Sequence, residues 1–206
     1  MKTIFFETID NTQNYALENY DSEPLLVLSY SQSSGRGRER KEWQNANQSL
    51  AVSLVFENNN EKLNNTLVPL IAGFCFLEVV ENEELKLKWP NDINLKENKI
   101  GGILVEEHKG VICVGLGVNY FWANPTIPNA GSLYDEKIDN TLINSDAEKW
   151  GSLVLDFVEN NKFKLSEYKE KLTTLGKLVE YPEGRGWARD VDIDGSLIIE
   201  TPEGKF

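Results

Sequence analysis

Two apolar runs, Ile100-Gly101-Gly102-Ile103-Leu104-Val105-Glu106 and Val111-Ile112-Cys113-Val114-Gly115-Leu116-Gly117-Val118-Asn119, flank the turn residues His108-Lys109-Gly110. Runs of this kind joined by a short glycine-containing turn read as an antiparallel hairpin. Hairpins make a purely parallel sheet improbable, so the expectation is a mixed sheet with helices on one side. Working outward, residues 85–89 alternate Leu-Lys-Leu-Lys-Trp as a strand that Pro90 stops, with Asn91 and Asp92 in the turn beyond. Residues 63–80 are apolar nearly all round, which predicts a buried helix. Residues 3–7, 24–30 and 49–56 read as strands and 12–20 as a first helix. Residues 31–48 lack any period and form a long loop. Beyond the hairpin, 146–160 and 165–172 are amphipathic helices. After Gly176 the texture changes to short strands, 177–181, 187–193 and 196–200.

The 206 residues carry 21 basic and 33 acidic side chains, a net charge of −12. An acidic body repels a phosphate backbone, which argues against nucleic-acid partners. The longest apolar run, residues 67–80, is interrupted by Pro69 and Glu78 and is far short of the about 20 residues that span a bilayer. No membrane association and no secretory leader are read, and the expected location is the cytoplasm. Cys75 and Cys113 both sit in apolar runs, as buried small hydrophobes and not as a bridge. His108 is the sole histidine, so no metal site fixed by His and Cys is expected.

Four segments carry candidate chemistry. Gly35-Arg36-Gly37-Arg38-Glu39-Arg40-Lys41-Glu42-Trp43 holds four cations against two acids, a positive island in an acidic chain. Its glycines let backbone approach a ligand, its arginines can hold phosphate or carboxylate oxygens, and Trp43 could stack on a base. A solvated loop is the alternative. Lys88-Trp89-Pro90-Asn91-Asp92-Ile93 places polar groups at a strand end, where a rigid frame can hold them. In Asn98-Lys99-Ile100-Gly101-Gly102, the paired glycines indicate either a close ligand or a β-bulge. Val114-Gly115-Leu116-Gly117-Val118-Asn119 looks like a phosphate loop only superficially, since no helix follows Gly117.

Together with Asp10-Asn11-Thr12-Gln13-Asn14 and Gln32, these segments resemble, in order, the motifs of the biotin protein ligase family (biotin–acetyl-CoA-carboxylase ligases) over residues 8 to about 120. The resemblance implies an α+β fold, a mixed β-sheet packed by helices as in class II synthetases, with a short C-terminal SH3-like β segment. It implies a catalytic domain over 1–175 and a small β domain over 176–206. It also implies ATP-dependent activation of biotin to biotinyl-5′-adenylate, with Mg²⁺ accompanying the ATP, and transfer to a lysine of a biotin carboxyl carrier protein. By the likeness Asn11, Thr12, Gln13, Gln32, Arg36, Gly37, Arg38, Lys99, Gly101 and Gly102 belong to the biotin site. Arg38, Lys41, Trp43, Asn91, Lys99 and Asn119 belong to the ATP site, and Lys99, Arg38 and Asp92 lie at the reacting centre. The Arg36–Trp43 loop would order over the adenylate as a lid.

Some positions depart from the family pattern. Asn11 stands where serine is usual, Lys41 replaces a common arginine, Glu39 and Glu42 add acids, and the C-terminal β domain is short. Lipoate or octanoate ligases share the implied fold but carry a different arginine-glycine pattern. A biotin-binding module without activity is the other rival. Thr12 lies only eleven residues after Met1, which leaves no room for a helix-turn-helix domain ahead of it. A homodimer is allowed, formed by strand pairing across a two-fold through residues 100–106 or their neighbour.

Overall fold

The computed structural model describes residues 1–38, 43–202 and 204–205. A seven-stranded sheet runs in the order β1-β2-β3-β7-β6-β5-β4. Its strands are β1 (Lys2–Ile9), β2 (Leu25–Gln32), β3 (Gln48–Glu57), β4 (Leu85–Lys88), β5 (Asp92–Leu95), β6 (Asn98–His108) and β7 (Val111–Phe121). Only β1 and β2 pair in parallel; every other neighbour is antiparallel. The hairpin expected around residues 108–110 is the β6–β7 pair at the centre of this sheet.

Period-two patterning sets the two faces. On β7, Ile112, Val114, Leu116, Val118 and Tyr120 are buried in the main core, while Cys113, Gly115, Gly117 and Asn119 alternate toward the other side. On β3 the same division separates Leu50, Val52, Leu54 and Phe56 from Ser49, Ala51, Ser53 and Val55. Helices α2 (Val68–Val80) and α3 (Asn140–Glu159) cover the large-residue face. Helix α1 (Thr12–Glu18) packs its Ala16 on the opposite face against Leu25, Val27, Val55 and Cys113. Helices therefore flank both faces, contrary to the one-sided layer expected. The sheet's smaller side chains leave α1 a shallow seat that a seven-residue helix can fill.

Helix α1 begins where Asn11 accepts a hydrogen bond from the Asn14 N–H at 2.9 Å. The expected helix at 63–80 divides into a 3-10 turn over Asn65–Leu67 and α2, whose first turn holds Pro69. Helix α3 starts six residues before the expected 146, because Asp139 caps it by accepting from the Thr141 N–H at 2.8 Å. Asp92 opens strand β5 and does not lie in a turn; pairing with both β4 and β6 makes residues 92–95 a strand. Strand β5 pairs with β6 only from Asn98 to Gly102, so beyond Gly102 strand β6 has a strand partner on the β7 side alone; β1 and β4 are the sheet's outer strands. Cys75 and Cys113 are buried and free, as expected. Burial pushes both thiols well above the usual range, so they stay protonated.

After α4 (Leu165–Glu170), strands β8 (Leu178–Tyr181), β9 (Gly184–Val191), β10 (Leu197–Thr201) and β11 (Gly204–Lys205) form a small antiparallel sheet. Its β9–β10 turn docks on the large sheet, with the Trp89 Nε1–H donating to the Gly195 carbonyl at 2.9 Å. Among the described residues no helix is long and apolar enough to cross a membrane.

Asp146 on α3 is buried, and burial pushes its carboxyl above the ordinary range, while the Tyr120 hydroxyl donates to it at 2.9 Å. That hydrogen bond favours the ionised carboxylate. Tyr120→Phe is therefore expected to lower stability by about 2 kcal/mol at neutral pH. The loss should shrink as acid protonates Asp146, because the neutral form gains less from the donor. Urea denaturation of both proteins at neutral and acidic pH checks it.

Candidate active site

The small-residue face of β3, β6 and β7 that α1 leaves uncovered is the floor of a cleft of about 510 Å³. Along β7 the floor is Gly115, Gly117 and Asn119, and Ser53 of β3 adjoins them. The missing side chains make room for something else to lie on the backbone. At Gly117 that is Trp43: a Cβ there would stand 3.1 Å from two carbons of the indole.

The paired glycines of β6 resolve into a bulge. Ile93 pairs with Gly101 and Asn94 with Lys99, so Ile100 is the extra residue. The added residue restores the alternation with an offset. Lys99 and Gly102, three apart in sequence, both face the cleft, while Ile100 and Ile103 both enter the core. A Cβ at Gly102 would lie 3.5 Å from the Lys99 ammonium, so the lysine spreads across the glycine. The Lys99 Nζ donates to the Asp92 Oδ1 at 2.5 Å. Two short-chain neighbours thus set one cation and one carboxylate side by side at the cleft wall.

Asn91 is locked to β6 by its side chain and its backbone. Its Nδ2–H donates to the Ile103 carbonyl at 2.8 Å, and the Ile103 N–H donates to the Asn91 carbonyl at 2.8 Å. That leaves its Oδ1 to accept from the Arg38 Nη1–H at 3.3 Å. Asn119 is held likewise, donating from Nδ2 to the Gly131 carbonyl at 3.0 Å. Its Oδ1 is buried without a partner among the described residues and so is free to accept from a ligand. Arg36 reaches Glu106 on β6 at 3.0 Å. Thr12 sits at the start of α1, its hydroxyl 2.8 Å from that of Ser53.

Of the residues singled out from the sequence, Thr12, Gln13, Arg36, Gly37, Arg38, Trp43, Asn91, Asp92, Lys99, Gly102 and Asn119 line this one cleft. Three others stand behind the lining. Gln32 accepts from the Thr12 N–H at 2.7 Å and from its hydroxyl at 3.0 Å, which orients Thr12. Asn11 caps α1 and ties it to the Ser34 carbonyl at 2.9 Å. Gly101 follows the bulged Ile100 and pairs with Ile93, and a Cβ on it would stand 2.9 Å from the Gly117 carbonyl. Lys41 and the rest of 39–42 lie outside the described residues.

Sequence reasoning missed Ser53, Gln44, Trp122 and the stretch 127–130. The small–large alternation of β3 could have pointed to Ser53. The stretch 127–130 reaches the cleft because Lys99 N–H donates to the Asn129 carbonyl at 2.7 Å, and Gly131 N–H to the Lys99 carbonyl at 2.9 Å. No local pattern announces such a pairing.

A lysine–carboxylate pair, a loop arginine and fixed side-chain amides around one cleft define an enzyme site suited to an anionic small molecule. The profile of the Biotin/lipoate A/B protein ligase family matches residues 5–119. A biotin–[acetyl-CoA-carboxylase] ligase of Mycobacterium tuberculosis is 26% identical over 204 residues, covering 90% of this chain and 77% of the relative. Among solved structures, a biotin protein ligase from Aquifex aeolicus in complex with biotin and ATP superposes with a TM-score of 0.81 at 27% identity. That match covers 100% of this chain and 94% of the other. A biotin acetyl coenzyme A carboxylase synthetase from Helicobacter pylori, with bound biotinylated ATP, gives 0.71 at 26% identity, covering 97% and 96%. The chain belongs to the biotin/lipoate A/B protein ligase family, and it is a ligase.

Proposed function

We propose that this ligase activates biotin with ATP to biotinyl-5′-adenylate and passes the acyl group to a lysine of a biotin carboxyl carrier protein. The observation that carries the reading is the convergence of Lys99, Arg38, Asn91 and Asp92 at one wall of a cleft whose floor is glycine. In the first step a biotin carboxylate oxygen attacks the α-phosphorus of ATP and pyrophosphate leaves. Two anions must meet, so cations are needed to offset their repulsion and the charge developing on the phosphate. Lys99 and Arg38 supply them. In the second step the carrier amine attacks the acyl carbon, AMP leaves, and the amine proton passes to Asp92.

Thr12, buttressed by Gln32, and Gln13 are proposed to lie along biotin, with Arg36, Gly37 and Gly102 against its length. Asn11 and Gly101 serve that site by fixing α1 and the bulge. Trp43 is proposed to pack on adenine, with Asn91 and Asn119 toward the nucleotide. Among the described residues no three His, Cys, Asp or Glu side chains gather as a metal cage. Mg²⁺ is therefore proposed to arrive on the phosphate oxygens of ATP. The same reading divides the chain into a catalytic domain over 1–175 and a small β domain over 176–206 that braces Trp89.

The test is exchange of labelled pyrophosphate into ATP, with biotin, lipoate and octanoate in parallel. Exchange with biotin alone is the expected result. Exchange only with lipoate or octanoate would assign the site to that branch of the family, and silence with all three from folded protein would make it a binding module. The adenine position has its own check. Gly117→Ala crowds the Trp43 ring and is expected to raise KM for ATP about tenfold, the worth of one stacking contact. KM for biotin should stay within about twofold.

A further inference from the structure

We propose that Glu106 is a positioning residue for biotin binding: its carboxylate, held by Gln13, anchors Arg36 and so fixes the 35–38 backbone as one wall of the cleft. The assignment rests on the ligase reading above, in which Arg36 and Gly37 lie against biotin.

On β6, Glu106 follows Gly102 and Leu104, which line the cleft, on the same side of the strand by period-two alternation. One guanidinium nitrogen of Arg36, Nη2, donates to both of its oxygens, at 3.2 and 3.0 Å. A lone pair of this kind, with side chains 36% and 40% exposed, would contribute little. Here a third group stiffens it. The Gln13 Nε2–H donates to the Glu106 Oε2 at 3.0 Å and approaches the Leu104 carbonyl at 3.4 Å. Gly115 on the neighbouring strand leaves the space this carboxamide fills; a Cβ there would stand 2.6 Å from the Gln13 Oε1. Three elements, α1, β6 and the loop, are thereby joined at one carboxylate.

Arg36 does not hold this position by itself. Its Nε–H is buried with no acceptor among the described residues, which costs free energy that the contact with Glu106 must offset. Without Glu106 the guanidinium regains its hydration by leaving, and the 35–38 backbone goes with it. Cys113, which pairs with Glu106 across the strands, is a buried protonated thiol and cannot replace the carboxylate.

An anchor that orders a wall before substrate arrives acts on binding and not on the chemical step, so it should appear in KM and spare kcat. Glu106→Ala is expected to raise KM for biotin about fivefold with kcat within twofold, and to speed tryptic cleavage after Arg36 in the substrate-free protein by a similar factor. Glu106→Gln, which keeps one acceptor oxygen and the shape, should fall between the two. Arg36→Ala should raise KM at least as much as Glu106→Ala, and the double variant should be no worse than Arg36→Ala alone. Multiplying effects in the double variant, an unchanged KM, or unchanged cleavage after Arg36 would each overturn the proposal. The proteolysis arm needs no ligand, so if wild-type protein shows no biotin-dependent exchange, the ligase reading fails while the anchor is still judged by cleavage.

Discussion

Lys99→Met is expected to cut biotin-dependent exchange of pyrophosphate into ATP by about 10²- to 10³-fold, the usual cost of removing one group that meets charge developing in a transition state. Methionine keeps the length and the apolar stem, so the loss isolates the charge. Lys99 is 43% exposed on its side chain and sits on a strand bonded on both sides, so the fold should survive the change. The bulge explains why no neighbour can substitute. It turns Lys99 and Gly102 to the same face and buries Ile100 and Ile103 on the other, and the other described cleft cations, Arg36 and Arg38, are engaged with Glu106 and Asn91. Biotin binding measured by calorimetry should weaken far less than exchange, because ground-state contacts along the rest of the cleft remain. A variant that binds biotin poorly yet exchanges at the wild-type maximal rate would remove Lys99 from the reacting centre.

The same bulge marks how far the sequence could be read. The alternation of large and small residues on β7 showed in one dimension what became a core face and a cleft floor. The glycine pair at 101–102 left two alternatives, a close ligand or a bulge, and the structure shows a bulge that turns Lys99 and Gly102 into the cleft. The four chemistry-bearing segments, far apart in the chain, meet because β6 and β7 are central and both flanking loops fold back onto them. Non-local pairing is what stayed hidden. Residues 92–95 have ordinary turn chemistry at their start, and only the partners on each side make them a strand. Asn129 reaches Lys99 through backbone groups, which no side-chain pattern records. Nothing local around Gln32 announces that its carboxamide oxygen accepts from both the backbone and the hydroxyl of Thr12. Glu106, the last residue of a recognised motif, drew no attention because an acid at the solvent end of a strand is ordinary until its partners from α1 and the loop are in place.

Asp92→Asn is expected to slow transfer from preformed biotinyl-adenylate to a carrier domain by about 10²-fold, at the low end of what a general base supplies. Exchange of pyrophosphate should fall by less than about tenfold, since asparagine still offers an oxygen to Lys99. The separation follows from the carboxylate's two oxygens. Oδ1 accepts from Lys99, while Oδ2 has no hydrogen-bond partner among the described residues, and Asp92 lines the cleft. An arriving amine can therefore give its proton to one oxygen while the other keeps the lysine in place. The sign of the pH effect is fixed by the amine. A lysine with an ordinary pKa of about 10.4 is almost wholly protonated at neutral pH, and the fraction that needs no base rises with pH. The deficit of Asp92→Asn should accordingly narrow as pH is raised from neutral to mildly alkaline, whereas a variant that only misplaced Lys99 would keep a constant deficit. Single-turnover transfer across that range decides between them. Equal losses in exchange and transfer at every pH would reduce Asp92 to a support for Lys99 and leave the amine to lose its proton to water.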